Sequence, residues 1–179
     1  MPLELEKLMP GDVLLYGGSS LVNRLIQVKT WSRYSHCELY DGHGFSLAAR
    51  NGIGVGRYPV RVDGLLAIMR LRIPFDIDAI RDWFETVDGQ HYDWWGLLAF
   101  TSATRQGREN WKQFCSEFVA RALRVGIGAA AATQYPTARR GDRRVLESLG
   151  LDPFNGYDAD GISPGEIRKS ALLRLEYES

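Results

Sequence analysis

The stretch Trp111-Lys112-Gln113-Phe114-Cys115-Ser116-Glu117-Phe118-Val119-Ala120-Arg121-Ala122-Leu123 decides the fold. Phe118, Val119, Ala122 and Leu123 recur at helical spacing, so one face of the segment is apolar. Gly126 is the predicted stop just beyond. Cys115 falls on the same face, before Val119, in the predicted first turn. There the unpaired amides and the helix dipole favour an anion, so a thiol ionises more easily. A thiolate so placed is a nucleophile. The competing reading is a small buried hydrophobe, because free cysteine is among the most buried residue types. The stretch alone leaves both open, and a histidine far upstream tips the balance.

The chain has 179 residues, enough for one domain with a substantial core, and the expected organisation is a single domain over 1–179. Apolar residues make up 45% and charged residues 25%, as in ordinary globular proteins. Lysine plus arginine, 22, equals aspartate plus glutamate, 22, so no global charge draws the chain to nucleic acid or to an anionic membrane. Two cysteines, Cys37 and Cys115, make no disulfide framework in a chain of this length, and nothing in the sequence requires them to pair. The first residues lack the basic region and apolar run of a signal peptide. No apolar run is long enough to span a bilayer. The expectation is a cytoplasmic-type, reduced protein; a phage-associated or toxin-like protein delivered by another route has the same look.

Val13 to Tyr16 reads as a short strand after the turn residues Pro10-Gly11-Asp12. Ser20 is a candidate cap for a short amphipathic helix carrying Leu21, Val22, Leu25, Ile26 and Val28. Ser35-His36-Cys37-Glu38-Leu39-Tyr40 reads as a strand, Asp41-Gly42-His43-Gly44 as a turn, and Phe45 to Ala49 as the antiparallel return. The glycine-rich run from Asn51 to Gly56 lacks the lysine and hydroxyl ending of a phosphate loop. Leu65 to Ile73 is a further strand, and Asp76 caps a helix with Ile80, Trp83, Phe84 and Val87 on its apolar face. Tyr92 to Phe100 is dense in aromatics, and Thr101 to Asn110 reads as an exposed loop. The four arginines between Thr137 and Arg144 read as a solvated segment. Ser163 and Pro164 open a helix, and Leu172 to Tyr177 reads as a last strand. Early strands with interspersed helices predict an α+β domain with a mostly antiparallel sheet.

Of the three histidines, His43 sits in a turn and His91 precedes the aromatic segment. His36 lies inside a strand and shares a face with Glu38 and Tyr40. A cysteine at a helix start and a histidine on a strand suggest a thiol–imidazole pair, in which the imidazole takes the thiol proton and later protonates the leaving group. Such partners meet in space, so spacing does not establish the pair. The alternative is a hydrogen-bonded core histidine. The paired ligand spacing of a zinc site is lacking, and no metal or other cofactor is expected.

Gly11-Asp12-Val13-Leu14-Leu15, Ser35 to Tyr40, Tyr92-Asp93 and Phe114 to Val119 together resemble the circularly permuted branch of the NlpC/P60 papain-like superfamily, the YiiX/YaeF-type group. The lecithin:retinol acyltransferase relatives are akin to it. In that branch the histidine strand precedes the cysteine helix, as here. The resemblance spans most of the chain and is weakest over 126–160. It implies a permuted papain-like fold, with a small antiparallel sheet packed against the helix that carries the nucleophilic cysteine. It implies Cys115 as nucleophile and His36 as base. The family's third polar residue, often Glu or His, lies on the strand after the histidine, and the aligned position here is Ala48. Ser46 shares that face and is able to accept a bond from the imidazole; Asn51 and Glu38 are further candidates. The Cys115 amide would serve the oxyanion hole, assisted by a tyrosine, with Tyr92, Tyr16 and Tyr34 as candidates.

The expected activity is that of a cysteine hydrolase, an amidase or peptidase acting on cell-wall peptide or a related amide through an acyl-thioester. Alternatives are a lipid amide or ester hydrolase, an acyltransferase, or a lapsed enzyme kept as a ligand-binding module because of Ala48. The expected partner is a small peptide, amide or lipid-like substrate, with no nucleic acid and no integral membrane segment.

Overall fold

The computed structural model describes residues 5–50, 52–90, 115–154 and 162–179. Six strands form one antiparallel sheet in the order β4-β3-β2-β1-β5-β6. They are β1 (Val13–Tyr16), β2 (His36–Gly42), β3 (Phe45–Arg50), β4 (Gly54–Pro59), β5 (Leu65–Leu71) and β6 (Leu173–Glu178). Helix α1 (Leu21–Thr30) joins β1 to β2, and α2 (Ile77–Val87) follows β5. Helix α3 (Cys115–Ala131) packs on β2, β3 and α2. Two short helices, α4 (Arg143–Ser148) and α5 (Pro164–Lys169), precede β6. The α+β character and the antiparallel sheet therefore agree with the sequence. Among the described residues no helix is long and apolar enough to cross a membrane.

Strand alternation divides the core. Val13, Leu15, Cys37, Leu39, Leu47 and Ala49 join Phe84, Phe118, Val119 and Leu123 beneath the helices. Leu14, Tyr16 and Tyr40 turn to the other face. Asp12, predicted as turn chemistry, is fully buried and accepts two bonds from the Arg70 guanidinium, each 2.7 Å. It also accepts from the Met9 amide, so it ties the entry of β1 to β5. The Asn51–Gly56 segment, described from Gly52, enters β4, which pairs with β3 from Arg50↔Gly54 to Phe45↔Pro59. Val28 is exposed and lies off the inward face assigned to it.

Gly126 does not end the cysteine helix. It sits inside α3 because the helix must pass close to α2: a Cβ there would meet Ile80 Cδ1 at 2.7 Å and the Asp76 carbonyl oxygen at 3.0 Å. That carbonyl belongs to the N-cap of α2, whose own amide donates to the Gly126 carbonyl. Gly128 is tighter still, with the Ala138 carbonyl oxygen 2.2 Å from a Cβ position. Both glycines mark close approach rather than termination, which outweighs their helix cost of about 1 kcal/mol each. At the other end of the chain Ser163 and Glu166 form a full capping box on α5. Arg139, Arg140 and Arg144 are exposed, as the solvated reading of that segment predicts.

Candidate active site

His36 is the first residue of β2, opposite Tyr16 of β1. The Cys115 thiol and the imidazole lie close enough for each to shift the other's ionisation. The ring's Nε2 lies 3.0 Å from Glu38 Oε1. The two residues share a strand face, so the contact follows from their spacing. Glu38 is fully buried. Its carboxylate accepts from Ser46 Oγ at 2.5 Å, from Arg50 Nε and Nη2 at 2.9 and 3.1 Å, and from Arg61 Nη2 at 3.2 Å. The guanidiniums are held in turn by aromatic faces: Arg50 lies over Tyr58 at 4.2 Å and Arg61 over Tyr16 at 5.2 Å.

The charges support one another. The Cys115 thiol is held well below its ordinary pKa, first by a hydrogen bond from the Cys37 thiol and then by the His36 charge, against the opposing effect of burial. Burial pulls His36 down, but the Cys115 thiolate and Glu38 outweigh it and raise the imidazole to about 9. Burial likewise opposes ionisation of Glu38, yet the bonds from His36 and Arg50 lower it to about 2. Burial pushes Cys37 well above its usual value, and the neighbouring Cys115 adds to this. A thiolate beside an imidazolium, with a carboxylate behind the ring, is equipped for nucleophilic attack followed by proton delivery.

Cys115 and His36, far apart in sequence, are thus brought together. Ser46 reaches the imidazole only through Glu38. Continuing the register that pairs Leu39 with Leu47 sets Ala48 beside Glu38, so the carboxylate of β2 fills the room a longer side chain on β3 would need. Among the tyrosines, Tyr34 is committed elsewhere, donating to Glu178 Oε1 at 2.6 Å. The Tyr16 ring lies 6.0 Å from His36, and among the described residues its buried hydroxyl has no hydrogen-bond partner. Tyr92, Asn51 and His91 lie outside the described residues. Arg61 and Cys37 carry roles that their sequence context did not signal, since the loop bearing Arg61 has no motif and Cys37 reads as an ordinary core residue.

No family model matches the chain, and no curated protein matches it in sequence. Solved structures do. The crystal structure of metalloprotein yiiX from Escherichia coli O157:H7, a DUF1105 protein, superposes with a TM-score of 0.62 over 96% of this chain and 97% of that one, at 14% identity. The chain therefore has a YiiX-like fold. That neighbour is called a metalloprotein. Among the described residues here, no group of three or more His, Cys, Asp or Glu side chains is arranged to hold a metal ion. Glu38, the carboxylate nearest His36, is already enclosed by two guanidiniums, a poor setting for a cation.

Proposed function

We propose that the chain is a thiol hydrolase of the permuted papain-like kind, an amidase or peptidase working through an acyl-thioester on Cys115. The observation that carries this reading is the His36–Glu38 pair on β2, 3.0 Å apart, with the Cys115 thiol beside the imidazole at the start of the helix that packs on that strand. The Cys115 thiolate attacks the substrate carbonyl carbon, and the oxyanion forms near the Cys115 amide. The His36 imidazolium gives its proton to the departing amine, leaving the acyl-thioester and a neutral ring. That ring then takes a proton from water as it attacks the thioester, and the Cys115 thiolate leaves. Glu38 is the positioning residue. It fixes the ring orientation and stabilises the imidazolium, in the place of the polar residue absent at Ala48.

Cell-wall peptide is the first substrate class, on the family resemblance; lipid amides or esters and acyl transfer come second. The presence of Glu38 argues against a lapsed binding module, since the orienting group is present on a different strand. The test is the rate of Cys115 alkylation by iodoacetamide against pH, read by peptide mapping so that Cys37 stays in place. A thiolate that persists well below neutral pH, and is lost there in His36→Ala, is expected. Cys115→Ala should abolish turnover of peptidoglycan fragments. A Cys115 that alkylates no faster than a free thiol, indifferent to His36, refutes the hydrolase reading and leaves the binding module.

A further inference from the structure

We propose that the outer face of α1 and the cleft at its C-terminal end dock on an anionic lipid surface, bringing the Cys115 site against the bilayer. The role of the site rests on the hydrolase reading; the docking itself does not. Between Asp12 and Glu38 the chain has no acidic residue, while Arg24, Lys29 and Arg33 are basic. A chain of zero net charge thus carries one stretch of a single sign, the footprint of an anionic partner. Helix α1 occupies the middle of that stretch, and at 10 residues it is long enough to lie on a bilayer but not to cross one. Its described apolar side chains, Ile26 and Val28, belong to neither apolar core. Arg24 and Val28, four residues apart, share a helix face, and both are exposed. Trp31 stands at the C-cap with φ 47°, a left-handed conformation that glycine or asparagine adopts more easily. Its amide is fixed by the Gln27 and Val28 carbonyls, yet the residue is 96% exposed, so packing within the chain does not account for a ring there.

Trp31 also lines a cleft of about 500 Å³, whose walls are the 30–34 segment on one side and α5 with the end of β6 on the other. Arg33, Arg168 and Lys169 line it too, and Arg33 and Lys169 are exposed. The carboxylates in its walls are engaged within the chain: Glu166 accepts from the Ser163 amide, and Glu178 accepts from the Tyr34 hydroxyl and from Arg168. Basic side chains around an indole suit a membrane interface, where the cations meet lipid phosphates and the amphipathic ring sits at headgroup level. A nucleic acid would engage the cations but offers no apolar layer for Val28, which is 73% exposed. The same face leads to the reactive pair. The 31–34 segment runs through Ser35 into His36. Ser163 of the other wall follows Ile162, whose carbonyl accepts from Ser116 Oγ at 2.6 Å, next in the chain to Cys115.

The experiment is co-sedimentation of the full chain with vesicles of phosphatidylcholine alone and of phosphatidylcholine mixed with phosphatidylglycerol. Wild type should pellet with the mixed vesicles and not with the neutral ones, and high salt should release it, because exposed charges are screened. Arg24→Gln and Arg33→Gln should each weaken binding about fivefold. Trp31→Asn suits the left-handed backbone and removes the ring, and it should weaken binding about tenfold. Cys115 alkylation, measured without lipid, should be unchanged in all three, and Cys115→Ala should bind vesicles as wild type does. Pelleting with both kinds of vesicle alike, pelleting with neither, or undiminished binding by folded Trp31→Asn and Arg24→Gln overturns the docking while leaving the hydrolase reading intact. Binding to duplex DNA as tightly as to the mixed vesicles overturns the lipid assignment in favour of a general polyanion face. A Cys115 that alkylates like a free thiol in a chain that pellets only with the mixed vesicles refutes the hydrolase reading and keeps the docking. The wild-type comparison of the two vesicle types decides even where a variant folds poorly.

Discussion

Glu38→Gln keeps the side chain's shape and removes its charge. The structure sets the size of the effect. Glu38 is lowered from 4.5 to about 2 in the fold, which at 1.36 kcal/mol per unit is about 3 kcal/mol of stability. Because the folded value is depressed, that contribution is present above the unfolded value and is lost as the pH falls toward 2. The substitution removes it at neutral pH, and the melting temperature should drop by roughly 6–12 °C. The glutamine amide also turns donor hydrogens toward Arg50 and Arg61, leaving two guanidiniums facing His36 without a counter-charge. The imidazole, now raised to about 9 by Cys115 first and Glu38 second, should fall once the Glu38 charge is gone. Without the imidazolium the Cys115 thiolate is less favoured, so the acid limb of the alkylation profile moves up. The orienting partner is lost too, and turnover should fall by about 10²–10⁴-fold. The assay is NMR titration of His36 alongside the iodoacetamide pH profile, with circular dichroism to establish folding. A folded Glu38→Gln protein in which His36 still titrates near 9 and the acid limb is unmoved would refute the assignment of Glu38.

Gly128→Ala places a methyl group 2.2 Å from the Ala138 carbonyl oxygen, a backbone atom that cannot swing away. It should destabilise by about 1–3 kcal/mol in urea titration despite the better helix propensity of alanine. Ser163→Ala removes one half of the capping box on α5 and should cost about 1 kcal/mol in the same titration, with Cys115 alkylation unchanged.

Local pattern carried most of the framework. Ser20, Asp76 and Ser163 each accept from amides of the helix they cap, and the Asp41–Gly44 turn does join two antiparallel strands. Such features are written in a few consecutive residues. Gly126 shows the converse: a glycine that ends a helix and one that lets a second helix approach look alike in sequence until Ile80 and Asp76 are in place. Glu38 was legible only as one candidate among several. Alternation put it on the face of His36, but its claim over Ser46 depends on reach, since the longer side chain arrives at Nε2 while the serine bonds the carboxylate instead. Arg50 and Arg61 gained their part from that carboxylate, which no linear spacing encodes. Cys37 acquired its interest from the helix that covers it.

Strand β2 sets three reactive groups on consecutive residues, and the parity of their positions sorts them. Even numbers, His36 and Glu38, form one contact pair, while the odd Cys37 faces the helix. A single-residue insertion or deletion within β2 would invert that parity, sending a carboxylate under α3 and a thiol among the arginines. The loss would be chemical before it was structural, because both partner strands could still supply a ladder. Length changes in this protein are therefore best accommodated in the turn at 43–44 and damaging within the strand that precedes it, a boundary that an indel scan would draw.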